Sequence, residues 1–480
     1  MANINPTSVR DELDRLKHEF NRLGKEDAIP SETKLLMQSM FTLLELIFAI
    51  FLEKKTLKTS KNSSKPSSQT DKDESSLDHL GGKGKGNREK TESAYNSRTV
   101  ESITISAAST CNICGEDLDC IDCHEHERRT KIDIIFEKII EHVDAEIKTC
   151  PSCATNVKGP FPADMHGPLQ YGNGLKAYVI NMLVCQMVAL SRVQKGVAAM
   201  IGQTLSEATL LKFVLQLNEA LADWEKEAIQ QLKLSPVLHV DETSLRVDKQ
   251  NHWIHVYASG DITLKRLHRR RGKEAIEKIA IIPDYGGVII HDCWASYLSY
   301  HHCGHGLCGS HLLRELTFIV DSNAYVWAKD MKRALQETCK AVSSRNEKCL
   351  SEKEYLNLQK RYRSTLTRGE KELPEIPPKP NGQRGKMAKS DAHNLWERLK
   401  ENEKAVLLFA KDGDVPFTNN RAERDLRMAK VKQKVSGCFR NVDYAYAYCR
   451  ISSYLQTMAN KGHNPLIAIQ MALSKDVGGK

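Results

Sequence analysis

At Pro236 the spacing of apolar residues changes. Upstream, "LKAYVINMLVCQMVALSRVQKGVAAM" and "SEATLLKFVLQLNEALADWEKEAIQQLK" repeat apolar positions every three or four residues. That period predicts two or more helices across 172–234, with Ser206 and Glu207 forming a helix start. Downstream, "PVLHVDETSLRV", "HWIHVYASG" and "ITLKRLHRR" alternate over short runs separated by turn residues, which predicts strands. The helical "GKEAIEKIAII" and the buried-looking "GGVIIHD" follow, so this part reads as an α/β layer with a mixed sheet. Residues 312–410 return to helical spacing with many charges, broken by the Pro-rich "ELPEIPPKPNGQRGK" at 372–386, and 418–474 is again helical.

The N-terminal part has a different texture. Residues 1–58 are helix-patterned, and Met37, Met40, Leu44, Ile47 and Phe51 follow the three-four alternation of a coiled-coil seam. A helix packed on its own protein accounts for them equally well. The apolar run at 35–52 contains Glu45, and a carboxylate at mid-bilayer costs about 2.5–3.5 kcal/mol, so no membrane span is expected. Residues 59–103 are rich in Ser, Lys, Gly and Asp and too poor in apolar side chains to order themselves, which predicts a linker. A cysteine-rich unit occupies 104–165, a helical region 166–235, and the α/β part 236–480, with its helical insertion at about 312–410. The fold class expected is multidomain α+β.

Composition narrows the function classes. A chain of 480 residues exceeds one ordinary core, and a formal charge of +9 favours a polyanionic partner such as nucleic acid. Fourteen cysteines follow a charged N-terminal stretch that does not read as a signal peptide, so a reducing, cytoplasmic setting is expected rather than a disulfide framework.

Three sets of residues carry candidate chemistry. Cys111 and Cys114, then Cys150 and Cys153, make two C-x2-C knuckles with the ligand pattern of tetrahedral Zn2+, whose binding would supply folding energy that so small a unit lacks. Cys120, Cys123, His124 and His126 offer competing ligands; the outer quartet is preferred because "CNICG" and "CPSC" have knuckle-like turns. Asp241 and Asp292 each follow an apolar strand, where α/β sheets place their sites, and Glu423 sits in the basic helix "NNRAERDLRMAKVKQKVSGCFRN". Asp is also a common capping and turn residue, so the pair counts for more than either alone. Three converging carboxylates would repel one another unless Mg2+ or Mn2+ bound there. Around Glu423, Arg421, Arg424, Arg427 and Lys430 are candidates for DNA phosphates, against the alternative that Glu423 and Arg427 form a surface pair. Cys308 and His311 are candidate active-site residues or a buried Cys with a helix-capping His. Glu242 would face away from Asp241 and support it at most, His239 and His291 read as core residues, and "LKRLHRRRGK" at 264–273 reads equally as a DNA track or a solvated hairpin.

The stretches "VLHVDETSLRVDKQNHWIHVYAS", "GVIIHDCWASY", "LCGSHLLREL" and "VPFTNNRAERDLRMAKVKQKVSGCFR" resemble the catalytic region of insertion-sequence 66 family transposases. The knuckles, the helical "YGNGLKAYVINMLVCQMVALSRV" and the "KTSKNSSKPSSQ" linker are similar to that family's N-terminal half, in the same order. The resemblance implies an RNase H-like catalytic domain with a DDE triad of Asp241, Asp292 and Glu423, a mostly helical insertion before the Glu, and a C-x2-H motif at Cys308 and His311. It further implies a bacterial, nucleoid-associated enzyme that uses Mg2+ (or Mn2+) to cleave double-stranded DNA at terminal inverted repeats and join the ends to target DNA. A homo-oligomer on DNA and companion transposition proteins belong to the same expectation. A zinc-containing DNA-binding regulator without activity, and a nuclease of the same fold, are the rival readings.

Overall fold

A computed structural model describes residues 103–132, 137–374 and 389–475, with scattered helical positions between 15 and 40. The linker and most of the coiled-coil seam (Leu44, Ile47, Phe51) lie outside the described residues. The chain divides into two compact units: Gly82–Leu307 with Thr418–Lys480 form one, and Cys308–Phe417 fall in the other. No helix among the described residues is long and apolar enough to cross a membrane.

The first unit begins with an exposed antiparallel pair, β1 (Ile147–Thr149) and β2 (Asn156–Lys158). Helices α1 (Asn173–Ile180), α2 (Leu190–Ile201), α3 (Glu207–Ala220) and α4 (Ala222–Lys233) follow. As the sequence implies, Ser206 caps α3, its side chain accepting the Thr209 N–H at 3.1 Å.

A mixed five-stranded sheet comes next. β3 (Val237–Val247), β4 (Gln250–Ser259) and β5 (Ile262–His268) form an antiparallel meander. The β3–β4 turn uses Asp248 and Lys249, both at positive φ, which suits a tight two-residue hairpin. After α5 (Lys273–Ile279), β6 (Val288–His291) pairs parallel with β3; after α6 (Ala295–Leu298), β7 (Gly304–Leu307) pairs parallel with β6. The spatial order is β5-β4-β3-β6-β7.

Alternation along β3 separates two cores. Leu245 and Val247 join Ile254, Val256 and Leu267 against α1 and α3 and against three C-terminal helices: α12 (Asn420–Ser436), α13 (Val442–Asn460) and α14 (Pro465–Lys475). Leu238 and Val240 face the other way, onto Leu232, Ile276, Tyr285 and Tyr297. The free edge of β5 is covered by α13: Ser453 and Thr457, one turn apart, accept the N–H groups of Lys265 and Thr263 through their hydroxyls. That satisfies edge groups that would otherwise invite another strand.

The second unit is helical, with α7 (Gly309–Asn323), α8 (Val326–Ser343), α9 (Glu352–Glu372), α10 (Asp391–Glu401) and α11 (Glu403–Lys411). Its core centres on fully buried Trp327, against which Gly369 packs so closely that a Cβ there would meet the indole at 2.7 Å. Tyr362 and Trp396 bury their rings while donating to the carbonyls of Leu399 and Leu366, both at 2.8 Å.

Candidate active site

Parallel pairing of β3 with β6 sets the geometry. His239 is opposite Ile290, so Asp241 and Asp292, each two residues further on, come level with one another; Asp292 follows the end of β6 as expected, whereas Asp241 lies within β3, whose pairing with β4 carries the strand on to Val247. Alternation puts Asp241 on the face of the sheet that carries α12. Glu423 lies in the first turn of that helix.

The electrostatics of Asp241 report the gathering of acids. Its carboxyl is pushed well above the usual carboxylate range, first by burial and then by the charges of Glu242, Asp292 and Glu423; the Glu242 N–H, donating at 2.8 Å, opposes the shift. The Asp292 carboxylate accepts the Trp294 N–H at 3.2 Å, which folds the chain back directly after β6.

Helix α12 is fixed to the sheet by side chains that composition does not single out. Asn419, at its N-cap and almost fully buried, donates to the Val240 carbonyl at 2.8 Å, and His239 Nδ1 lies 2.9 Å from the Asn419 amide oxygen. Asp425 accepts from the Thr263 hydroxyl at 2.7 Å. His239, read from sequence as core, thus takes part in orienting the helix that bears Glu423. The signal lay in "NNR", where a buried Asn opens a helix, but nothing in the sequence names its partners.

The four basic candidates divide. Arg421 donates to the Ile262 carbonyl at 3.1 Å, and Lys430 donates to the Ser244 carbonyl at 2.7 Å and its hydroxyl at 3.0 Å. Arg424 and Arg427 are exposed. In "LKRLHRRRGK", Lys265 is buried and Arg266 pairs with Glu225 at 2.7 Å, while Arg269 and Arg270 reach solvent.

Glu242 faces away from Asp241, as alternation predicts, and is buried. Arg271 contacts it at 2.6 Å and the Tyr297 hydroxyl donates to it at 2.5 Å. Burial and Asp292 raise its carboxyl above the usual range against these two partners. The Arg271 guanidinium also stacks on Trp294, with Cζ 4.4 Å from the ring centroid, and tethers the turn after Asp292 to β3.

In the cysteine-rich segment each knuckle is formed. The Gly115 N–H donates to the Cys111 carbonyl and the Ala154 N–H to the Cys150 carbonyl, both at 2.9 Å, with Gly115 and Ala154 at positive φ. The Cys111 thiol is lowered by the N–H groups of Cys114 and Ile113 and by the Cys114 thiol; that of Cys153 is lowered by Thr155 and then Cys150. Such thiolate-favouring turns suit Zn2+. Among the described residues, these four sulfurs do not gather into one cluster within 4.8 Å. Cys123 lies 3.7 Å from His126 Nε2, within the competing ligand set.

Cys308 and His311 belong to the helical unit. Cys308 is buried at the N-cap of α7 without a side-chain capping bond, and the His311 N–H donates to its carbonyl at 3.1 Å. Gly309 between them packs against Phe417, whose ring would stand 2.2 Å from a Cβ.

No curated protein matches the chain. A family model, described as Transposase IS66 family, matches residues 168–447, a span that contains Asp241, Asp292 and Glu423 and excludes both knuckles. The match covers more than half of the 480 residues, so the chain belongs to the IS66 transposase family.

Proposed function

We propose that the chain is a DNA transposase with an RNase H-like catalytic domain, in which Asp241, Asp292 and Glu423 form the catalytic triad for end cleavage and strand transfer of a bacterial insertion sequence. The observation that carries this reading is geometric: the β3–β6 register brings Asp241 and Asp292 level, and the Asn419 contacts to Val240 and His239 fix the start of the Glu423 helix to the same strand. The sheet order, an antiparallel meander extended by two parallel strands, is consistent with it.

The donor set fits Mg2+ or Mn2+: three hard carboxylates whose mutual repulsion a cation relieves. When bound, such an ion activates a hydroxyl nucleophile and stabilises the leaving oxygen of a phosphodiester. The protein's own part is orientation. Asn419 and His239 hold the Glu423 helix against β3, and Arg271 with Tyr297 holds Glu242 behind Asp241. Water nicks the element end, and the freed 3′-hydroxyl then attacks target DNA, with no covalent protein intermediate.

Cys111, Cys114, Cys150 and Cys153 would hold one structural Zn2+, and the N-terminal half, 104–235, would read the terminal inverted repeats. Exposed Arg424 and Arg427 would meet phosphates beside the scissile bond, and Cys308 and His311 of the helical unit remain candidate functional residues. The working form on DNA is a homo-oligomer, with companion proteins as further partners, in the bacterial cytoplasm at the nucleoid. Incubating the protein with labelled element ends, a target plasmid and Mg2+ tests this. Cleavage with joining is expected; cleavage alone would indicate a nuclease of the same fold, and binding without cleavage an inactive regulator.

A further inference from the structure

The backbone beside Asp292 is strained. Cys293 sits at φ +71°, a left-handed conformation that costs a residue other than glycine on the order of 1–2 kcal/mol. Its N–H donates to His291 Nδ1 at 3.2 Å. His291 is completely buried at the end of β6, and its Nε2 lies 3.1 Å from Nδ1 of His305 on β7. His305 Nε2 lies 3.1 Å from the Tyr300 carbonyl oxygen.

This chain of contacts has one consistent proton arrangement. A carbonyl oxygen only accepts, so His305 carries its proton on Nε2 and presents a lone pair at Nδ1. That lone pair accepts the Nε2–H of His291, which leaves His291 Nδ1 as the acceptor for the Cys293 N–H. The rings meet edge to face, 5.3 Å apart at 80°, so packing reinforces the hydrogen bond.

We propose that His291 and His305 are positioning residues which hold Cys293 in its left-handed turn and thereby fix the Asp292 carboxylate level with Asp241. The proposal rests on Asp292 being a cation ligand, as read above. Neither histidine touches the reacting atoms. Their alternative role, filling the core, predicts that any side chain of matching volume would serve.

The full chain tests this by calorimetric titration with Mn2+ in the absence of DNA, alongside cleavage of a labelled duplex carrying the element end. His305→Leu keeps bulk but removes the acceptor; it is expected to weaken Mn2+ binding by about 10-fold or more and to slow cleavage in step. His305→Asn places an amide oxygen near the Nδ1 position and should stay within about 3-fold of the native protein. Adding Cys293→Gly to His305→Leu should restore most of the lost affinity, because glycine needs no help to occupy the left-handed region. If His305→Leu fails to fold, His305→Gln replaces it, since its polar end falls beyond the Nδ1 position. Native Mn2+ affinity in the Leu or Gln variant, or no recovery with Cys293→Gly, would overturn the relay while leaving Asp292 a ligand. A native protein that neither binds Mn2+ nor cleaves would overturn the reading of Asp292 and the relay with it.

Discussion

Asn419 donates to the Val240 carbonyl at 2.8 Å, one residue before Asp241, from the N-cap of the helix that presents Glu423. Its side chain does not cap its own helix, because both ends of the amide are engaged by β3. The contact joins residues 179 apart in sequence and ties the start of the helix that carries Glu423 to the strand that carries Asp241. Asn419→Ala should leave buried groups on Val240 and His239 unpartnered, at a cost of about 1–3 kcal/mol in urea unfolding. Cleavage should fall by roughly 100-fold while DNA affinity holds, since small misplacement of a reacting constellation is expensive. Unchanged cleavage in a folded Asn419→Ala protein would separate this contact from the active site.

Asp241→Asn, Asp292→Asn and Glu423→Gln are each expected to abolish cleavage with DNA binding retained. A second consequence is specific to Asp241, whose ionisation opposes burial and three neighbouring charges. Without divalent cation, Asp241→Asn should therefore melt at a higher temperature than the native protein. Added Mn2+ should raise the native melting temperature and leave the variant's unmoved; thermal denaturation with and without Mn2+ reads both.

The basic residues of α12 should sort by their contacts. Arg424→Ala and Arg427→Ala should each flatten the salt dependence of DNA binding by about one unit of log–log slope per lost phosphate contact, with little loss of stability. Arg421→Ala and Lys430→Ala, which free the Ile262 and Ser244 carbonyls, should instead lower the melting temperature with the slope unchanged. The reverse pattern would place the phosphate track on the inner face of the helix.

Glu225 links the helices to the sheet, meeting Arg266 at 2.7 Å and Arg450 at 2.8 Å. Burial alone would raise its carboxyl, but the two arginines outweigh it and hold the group below its ordinary 4.5. A depressed carboxylate stabilises fully above its unfolded value, near 4.5, and that contribution is lost as pH falls through the lower folded value. Glu225→Gln should cost about 3–5 kcal/mol at neutral pH, because two guanidinium groups lose their partner. It should also flatten the acid limb of stability against pH. Parallel native and variant curves below pH 5 would contradict the linkage.

One Zn2+ per chain is expected on Cys111, Cys114, Cys150 and Cys153. Chelation or Cys150→Ser with Cys153→Ser should remove it and weaken element-end binding, leaving the melting of the sheet unit in place. Elemental analysis decides: two zinc ions per chain, or one retained in the double variant, would move the ligands to Cys120, Cys123 and the adjacent histidines.

Local structure was legible in the sequence. The change from helical to alternating period at Pro236 marked where strands begin, "CNICG" and "CPSC" marked the knuckle turns, and Ser206 marked a helix start, because each is written within a few consecutive residues. Alternation also assigned Glu242 and Asp241 to opposite faces. What depended on distant segments was not legible. Strand β7, "GHGL", has no β-branched side chain and exists through its pairing with β6. Arg421 and Lys430 read as free cations until a helix packed them against carbonyls of β5 and β3. His239 and His291 read as filler, yet Nδ1 of the first and Nε2 of the second each have a partner supplied by another element. Periodicity records which face of its own element a residue occupies; only tertiary packing decides which carbonyl, ring or charge stands opposite it.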